Sequence, residues 1–167
     1  MTATIPTVLG QVTVRYLQDA DHVAYVNLEK DVEVKRYVNG PSPRSDQDLR
    51  DSLRAERPSQ GMLAIADTSN DQFIGRCGLL PSKTGNETEV FCLLTKSHWR
   101  RGIGELVVPF LVQLASANDK VAVSIIDPEN FASLSLVQKL GWVPAGVISE
   151  PGKQFGHLRY IQPNATQ

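Results

Sequence analysis

Apolar residues recur along this chain in two rhythms, and the switches between them outline its elements. Residues 12–17 alternate Val12, Val14 and Tyr16 with Thr13, Arg15 and Leu17, the period of a strand. Asp19 or Asp21 then caps a helix that carries Val23, Val26 and Leu28. A short, partly apolar segment over 31–38 is broken by Asn39-Gly40-Pro41-Ser42-Pro43. Ser45 or Asp46 caps a second helix to about Glu56, with Leu49 and Leu53 inward and Asp48, Arg50, Asp51 and Arg54 on a solvated face. Residues 62–67, 73–80 and a run beginning near Thr88 read as three short strands, separated by turns at 68–71 and 81–86; together they predict an antiparallel meander. Val107, Phe110, Leu111 and Leu114 return to helical spacing, in a helix to about Ala117 with a bend predicted at Pro109.

The continuous apolar run 121–126 predicts a central strand covered on both faces. Asp127-Pro128-Glu129-Asn130 starts another helix, capped by Asp127 or Asn130 and ended by Gly141. Strands at 142–148 and 156–161 complete the pattern, around a turn at 149–154. The first ten residues are expected to be loose or a short edge, and 164–167 to fray. The reading is an α/β fold: a mixed central sheet of about seven strands flanked by about four helices, in one domain over 1–167 with its core at about 12–161.

Composition narrows the partners. With 167 residues, 41% apolar and 21% charged, the chain is a globular protein able to bury a core. A net charge of -1, mixed along the sequence, argues against nucleic acid. No apolar run is long enough to span a membrane, and the start Met-Thr-Ala-Thr-Ile-Pro is unlike a signal peptide. Cys77 and Cys92 fall inside predicted strands and read as buried thiols of a reducing cytoplasm; His22, His98 and His157 lack metal-ligand spacing, so no metal is expected.

One stretch carries chemistry. From Glu89 to Glu105 the chain runs from an apolar strand, through the polar and basic segment 95–101, to Gly102-Ile103-Gly104 at a helix start. The first amides of a helix lack internal partners and the helix dipole favours an anion there, so this is a phosphate-binding arrangement. Glycine permits close approach, and Arg100 and Arg101 add positive charge. It is not a Walker loop, for no Gly-Lys-Ser/Thr follows, and the third glycine of a dinucleotide fingerprint is missing.

A second motif lies one strand later: Asn130-Phe131-Ala132-Ser133, then Lys139-Leu140-Gly141-Trp142. The pair resembles the GNAT N-acetyltransferase superfamily, in which Gln/Arg-x-x-Gly-x-Gly/Ala holds the pyrophosphate of acetyl-CoA and Asn-x-x-Ala/Ser…Lys-Leu-Gly-Phe follows on the next helix. Trp99 stands where that pattern has Gln or Arg. This departure is similar to the RimJ/RimL branch, as are the segments 31–38 and 88–90; the resemblance spans roughly 12–161.

The resemblance implies a sheet splayed between the fourth and fifth predicted strands, with the pantetheine arm of acetyl-CoA in the gap. Leu94 and Thr95 would pair with the arm, and the amides of Arg100, Arg101, Gly102, Ile103, Gly104 and Glu105 would hold the pyrophosphate. Asn130 and Ser133 would contact the arm from the next helix. The implied reaction is direct attack of a primary amine on the thioester.

That reaction needs a base, an oxyanion donor and a proton for the thiolate. Glu89 is the first candidate base and Asp127 the second; a backbone N–H near Leu94 is the oxyanion donor. Val137 occupies the position where many superfamily members carry a tyrosine acid, which leaves Ser133, Ser135, Tyr160 or Tyr37 as hydroxyl sources. Helices and loop at 30–57 and 149–156 would hold the acceptor, with Glu29, Asp31 and Glu33 drawing in a cationic amine. The acceptor is a protein N-terminus or a small amine such as an amino sugar, polyamine or drug, and the chain a monomer or homodimer. The competing expectation is an acyl-CoA-binding module without turnover; a nucleotide-binding protein would need a Lys after the glycine loop, and there is none.

Overall fold

Val12 and Val14, the inward positions of the first alternation, are 1% and 0% exposed, and a strand forms there as their spacing requires. The computed structural model describes residues 5–56, 61–149 and 156–163. Within these, the elements follow in the order β1 (Thr7–Leu9), β2 (Val12–Tyr16), α1 (His22–Lys30), α2 (Asp46–Glu56), β3 (Leu63–Asp67), β4 (Phe73–Pro81), β5 (Glu87–Leu94), α3 (Ile103–Ser116), β6 (Val121–Ile126), α4 (Phe131–Lys139), β7 (Val143–Ile148) and β8 (His157–Ile161).

The strands form one sheet in the order β1-β2-β3-β4-β5-β6-β8-β7. Neighbours are antiparallel except β5 and β6, which run parallel with α3 as their crossover. The sheet therefore has eight described strands, against about seven expected. The added one is β1, three residues paired with β2, so the N-terminal segment supplies the edge.

Two apolar layers cover the sheet. Val107, Leu111 and Leu114 of α3 and Val137 of α4 pack with Val14, Ile65, Cys77 and Val90 on one face. Leu28 of α1 and Leu49 and Leu53 of α2 pack with Leu17, Ala64 and Phe73 on the other. Burial of an apolar side chain of this size contributes about 1.5–3 kcal/mol.

The helix ends follow the sequence in part. Ser45 caps α2: its hydroxyl accepts the Asp48 amide at 3.1 Å while the Asp48 carboxylate takes the Ser45 amide at 3.2 Å. The Ser45 hydroxyl, donating to the Asp48 carboxylate at 2.6 Å, and then the Ser45 amide hold the Asp48 carboxyl below its usual range. Asn130 caps α4, accepting the Ser133 amide, and Gly141 ends that helix at φ 76°. Helix α3 runs from Ile103 through Pro109 to Ser116. The turn expected at 149–154 falls, beyond residue 149, outside the described residues, as does the end at 164–167.

Asp21 holds the N-cap position of α1, one of the two expected, but its side chain does not cap the helix. A short 3-10 turn, Asp19–Asp21, precedes it. The Asp21 carboxylate instead accepts from Arg15 at 2.8 and 3.0 Å and from the Gln18 amide at 2.8 Å. Arg15 and Asp21 are buried, at 6% and 3% exposure. Asp21→Ala would leave the buried Arg15 with the exposed Asp71, at 2.7 Å from its Nε, as its remaining carboxylate, so the loss is expected at the low end for a broken buried pair, about 3 kcal/mol, read from urea unfolding midpoints at unchanged slope.

The sheet opens between β5 and β6. They pair only at Glu87↔Val121, Thr88↔Ala122 and Glu89↔Val123. Beyond Glu89 the strands part, β5 continuing to Leu94 along β4 and β6 to Ile126 along β8. Among the described residues, no helix is long and apolar enough to cross a membrane.

Candidate active site

The opened edge of β5 exposes main-chain groups in a fixed alternation. Antiparallel residues point their N–H and C=O to one neighbour or the other in turn. Thr95 donates to Ile74 O across β4 at 2.9 Å, so in the register Gly75↔Leu94, Cys77↔Cys92 the groups of Cys92 and Leu94 face away from β4, into the gap. Trp99 Nε1 donates to Leu94 O at 2.9 Å, which occupies that carbonyl and leaves the Leu94 N–H facing the gap. The sequence placed Trp99 in the glycine-loop motif; its bond to Leu94 was not foreseen.

Two clefts meet in the gap. The outer one, about 530 Å3, runs from Arg100, Gly104 and Glu105 at the start of α3 past Cys92 and Leu94 to Asn130, Ser133 and Ser135 of the α4 start. The inner one, about 340 Å3, is bounded by Arg76, Glu89, Ser124, Asp127 and His157. Tyr37, Cys92, Asn130, Ser133 and Leu136 line both, so the clefts share a wall at the splay.

The glycine loop is shaped as its sequence required. Arg100 and Gly102 have φ of 58° and 73°, and Gly102 is the N-cap of α3. Such φ values favour glycine, and an added Cβ at Gly102 would meet nothing within 4 Å, so backbone conformation is what selects it. Gly104 has a different reason: a Cβ there would lie 2.9 Å from Leu136 Cδ2, so its lack of a side chain lets α3 and α4 approach. Arg100, Arg101 and Gly102 are exposed. The Glu105 amide donates to Gly102 O at 3.1 Å, and the Glu105 carboxylate pairs with Lys139 at 2.7 Å across the mouth.

The candidate catalytic groups separate by position. Glu89 is the last β5 residue paired with β6 and lines the inner cleft. Asp127 lines it too: its Oδ1 accepts the Glu129 amide at 2.8 Å and its Oδ2 lies 3.9 Å from His157 Nε2. His157, scattered in the sequence, thus joins the site through the β6–β8 pairing. Ser133 lines both clefts, whereas Ser135 lines the outer one alone. Tyr160 packs in the core under α3 and α4; Val137 is buried there and also reaches the inner cleft. Tyr37 reaches both clefts.

The acidic run expected to attract an amine is engaged with neighbours. Glu29 is buried against Lys35 and Arg76, Glu33 pairs with Lys96, and Asp31 accepts the Glu33 and Val34 amides.

Cys92 faces Cys77 across the β4–β5 ladder, and both are free thiols. Burial pushes the Cys92 thiol up to about 12, and burial, followed by Cys92, raises the Cys77 thiol well above its ordinary range. Thiolate is the reactive form, so both should resist iodoacetamide at pH 7.5 in the folded protein and react on unfolding, as read by intact mass. Among the described residues no His, Cys, Asp and Glu group fits a metal ion.

The splayed parallel pair, the helix start at its mouth and the asparagine-capped helix opposite make a cleft suited to a long phosphorylated thioester. Comparison with known proteins agrees. The family model described as "Acetyltransferase (GNAT) domain" matches residues 11–143. The uncharacterized protein YkkB of Bacillus subtilis (strain 168) is 24% identical over 149 residues, covering 84% of this chain and 87% of that one. RimL, a ribosomal-protein alpha-N-acetyltransferase solved with coenzyme A, superposes with a TM-score of 0.79 at 14% identity, over 95% of this chain and 97% of its own. Spermidine N-acetyltransferase of Vibrio cholerae, solved with CoA and spermine, gives 0.75 at 16% identity over 90% and 94%. The chain belongs to the GNAT family of N-acetyltransferases.

Proposed function

We propose that this protein transfers the acetyl group of acetyl-CoA directly to a primary amine, as one domain, a monomer or homodimer, of the cytoplasm. The observation that carries the reading is the gap beyond Glu89, which joins an outer cleft at a helix N-terminus to an inner cleft holding carboxylates. The amides of the exposed Arg100, Arg101 and Gly102, with those of Ile103 and Gly104 in the first turn of α3, receive the diphosphate, while Arg100 and Arg101 add charge; the Glu105 amide is already bonded to Gly102 O. The main chain of Cys92 pairs with the pantetheine amides; Leu94, its carbonyl taken by Trp99, keeps its N–H for the thioester, and the Thr95 amide, bonded to Ile74 O, does not join them as expected, while Asn130 and Ser133 close the other side.

The reacting thioester then lies where the two clefts meet. The Leu94 N–H is the donor for the oxyanion. Glu89 takes the amine proton, and the Ser133 hydroxyl hydrogen-bonds the departing thiolate and relays to it a proton taken from solvent, so that the serine ends as it began. Ser133 reaches the inner cleft and Ser135 does not, so the two serines should differ. Ser133→Ala is expected to lower kcat about a hundredfold and Ser135→Ala to leave it within about twofold, measured as thiol release.

Trp99 and the motif segments support a reading near the RimJ/RimL branch. The names of RimL and of the spermidine enzyme offer a protein N-terminus and a polyamine as acceptor classes. The deciding experiment is a thiol-release assay with acetyl-CoA and pooled peptides and amines, the product identified by mass shift. Acetylated product is expected; tight CoA binding with no product would favour the second reading, an acyl-CoA-binding module. Val137 at the position of the usual tyrosine is the feature that favours that alternative.

A further inference from the structure

The inner cleft has charge of opposite sign on its two sides. Glu29 lies 2.9 Å from Lys35 Nζ and 2.5 Å from Arg76 Nε. Glu29 and Lys35 are each 6% exposed and the Arg76 side chain 12%. One carboxylate between two cations leaves a positive charge over. Two further contacts of Arg76 are uncharged: Nη1 meets Met62 Sδ at 3.4 Å, and the guanidinium stacks 5.0 Å above the Phe91 ring. Tyr25 beside the cluster supplies no phenolate, since burial and then Glu29 raise its pKa. The next charges felt by Tyr25, Glu56 and Arg44, are of opposite sign to each other.

Of the three charged groups, Arg76 borders the cleft. Surplus charge in a desolvated place is costly, and a ligand anion in the cleft would offset it. On the other side of the same cleft stand Glu89 and Asp127. Arg76 pairs across the ladder with Leu93, four residues from Glu89 on the same strand face, about 13 Å along the strand, and its guanidinium reaches back over Phe91, two residues from Glu89. A cation pole and an anion pole on one face of one cleft suit a small molecule carrying both signs.

We infer that the acceptor is a zwitterionic amine, an amino acid or similar short aminocarboxylate, with its carboxylate on Arg76 and its nitrogen toward Glu89 and Asp127. The inference rests on the acetyl-transfer reading and names its substrate class. A polyamine would bring a second cation against Arg76, and an uncharged amine would leave Arg76 without its anion. A guanidinium offers a carboxylate two parallel donors, which a lysine does not.

The test uses glycine, γ-aminobutyrate, leucine and glutamate, each beside its amide or its decarboxylated amine, with spermidine as a further probe. Binding to the CoA-loaded protein is measured by calorimetry, and thiol release from acetyl-CoA in parallel. At least one acid is expected to bind tenfold or more tighter than the counterpart in which its carboxylate is amidated or removed. Arg76→Gln should abolish that ratio and Arg76→Lys keep part of it. Arg76→Gln leaves the Glu29–Lys35 pair in place, and the wild-type ratio decides alone should the variant not fold. Spermidine or the amides binding as well as the acids, no acid binding at all, or a ratio unmoved by Arg76→Gln would each overturn the inference. Acid-selective binding without thiol release would uphold the anion seat and remove the transfer reading; acetylation of acids and amides alike would do the reverse.

Discussion

Gly102→Glu is expected to weaken acetyl-CoA binding about a hundredfold. Two effects act together. Gly102 sits at φ 73°, where a side chain costs about 1–2 kcal/mol. A carboxylate at about 5 Å from a bound diphosphate adds about 3 kcal/mol of repulsion per charge at an effective dielectric constant near 20. Part of that is lost because Gly102 is exposed and the new side chain can turn to solvent. Gly102→Lys separates the two, for it carries the same backbone strain and the opposite charge. Calorimetry with CoA should show Gly102→Glu much weaker than Gly102→Lys. Equal losses would mean that loop conformation alone matters, and binding as tight as wild type in both would place the diphosphate elsewhere. Gly104→Glu is the poorer probe, because Leu136 lies against that position and a binding loss there would also report displaced helices.

What could be read in the sequence divides along the same line as local and distant contacts. The strands at Val12 and Leu63, helix α3 and the caps at Ser45, Asn130 and Gly141 follow from neighbours within one or two turns, and they are where the pattern put them. The edge strand β1 has only three residues, too short for alternation to declare itself. Asp21 looked like a cap because a helix begins beside it; Arg15, on the preceding strand, claims it through tertiary geometry. Glu29 is the sharpest case. In the sequence it opens an acidic run that reads as solvated or amine-attracting. Its partner Arg76 comes from a strand far along the chain, and pairing inverts the sign of that wall. The outer cleft was legible because a glycine loop and a capped helix are short motifs. The inner cleft was not, since Arg76, Glu89, Asp127 and His157 meet through sheet register and share no spacing.

Glu89→Gln is expected to lower kcat/KM by about a hundredfold at pH 7 with the acceptor that the screen returns. The argument starts from the amine, whose ordinary pKa of about 8–10 leaves it protonated at neutral pH and without a lone pair for attack. Glu89 stands where β5 and β6 part, on the strand face of Phe91, beside the cleft that the nitrogen enters. Glutamine keeps the shape and cannot take the proton. The sign with pH follows: as pH rises toward the acceptor's own pKa, solvent hydroxide supplies the free amine and the deficit of the variant should shrink, about tenfold per unit at most. Affinity for CoA should be unchanged, since Glu89 does not line the outer cleft. A rate and profile identical to wild type would take Glu89 out of the reaction. Asp127, 3.9 Å from His157 on the same cleft, would then be the group to replace, and Asp127→Asn should show the deficit that Glu89→Gln lacked. Either result assigns the proton to the inner cleft; only a null result for both variants would move it to solvent, leaving catalysis to the positioning of the two substrates.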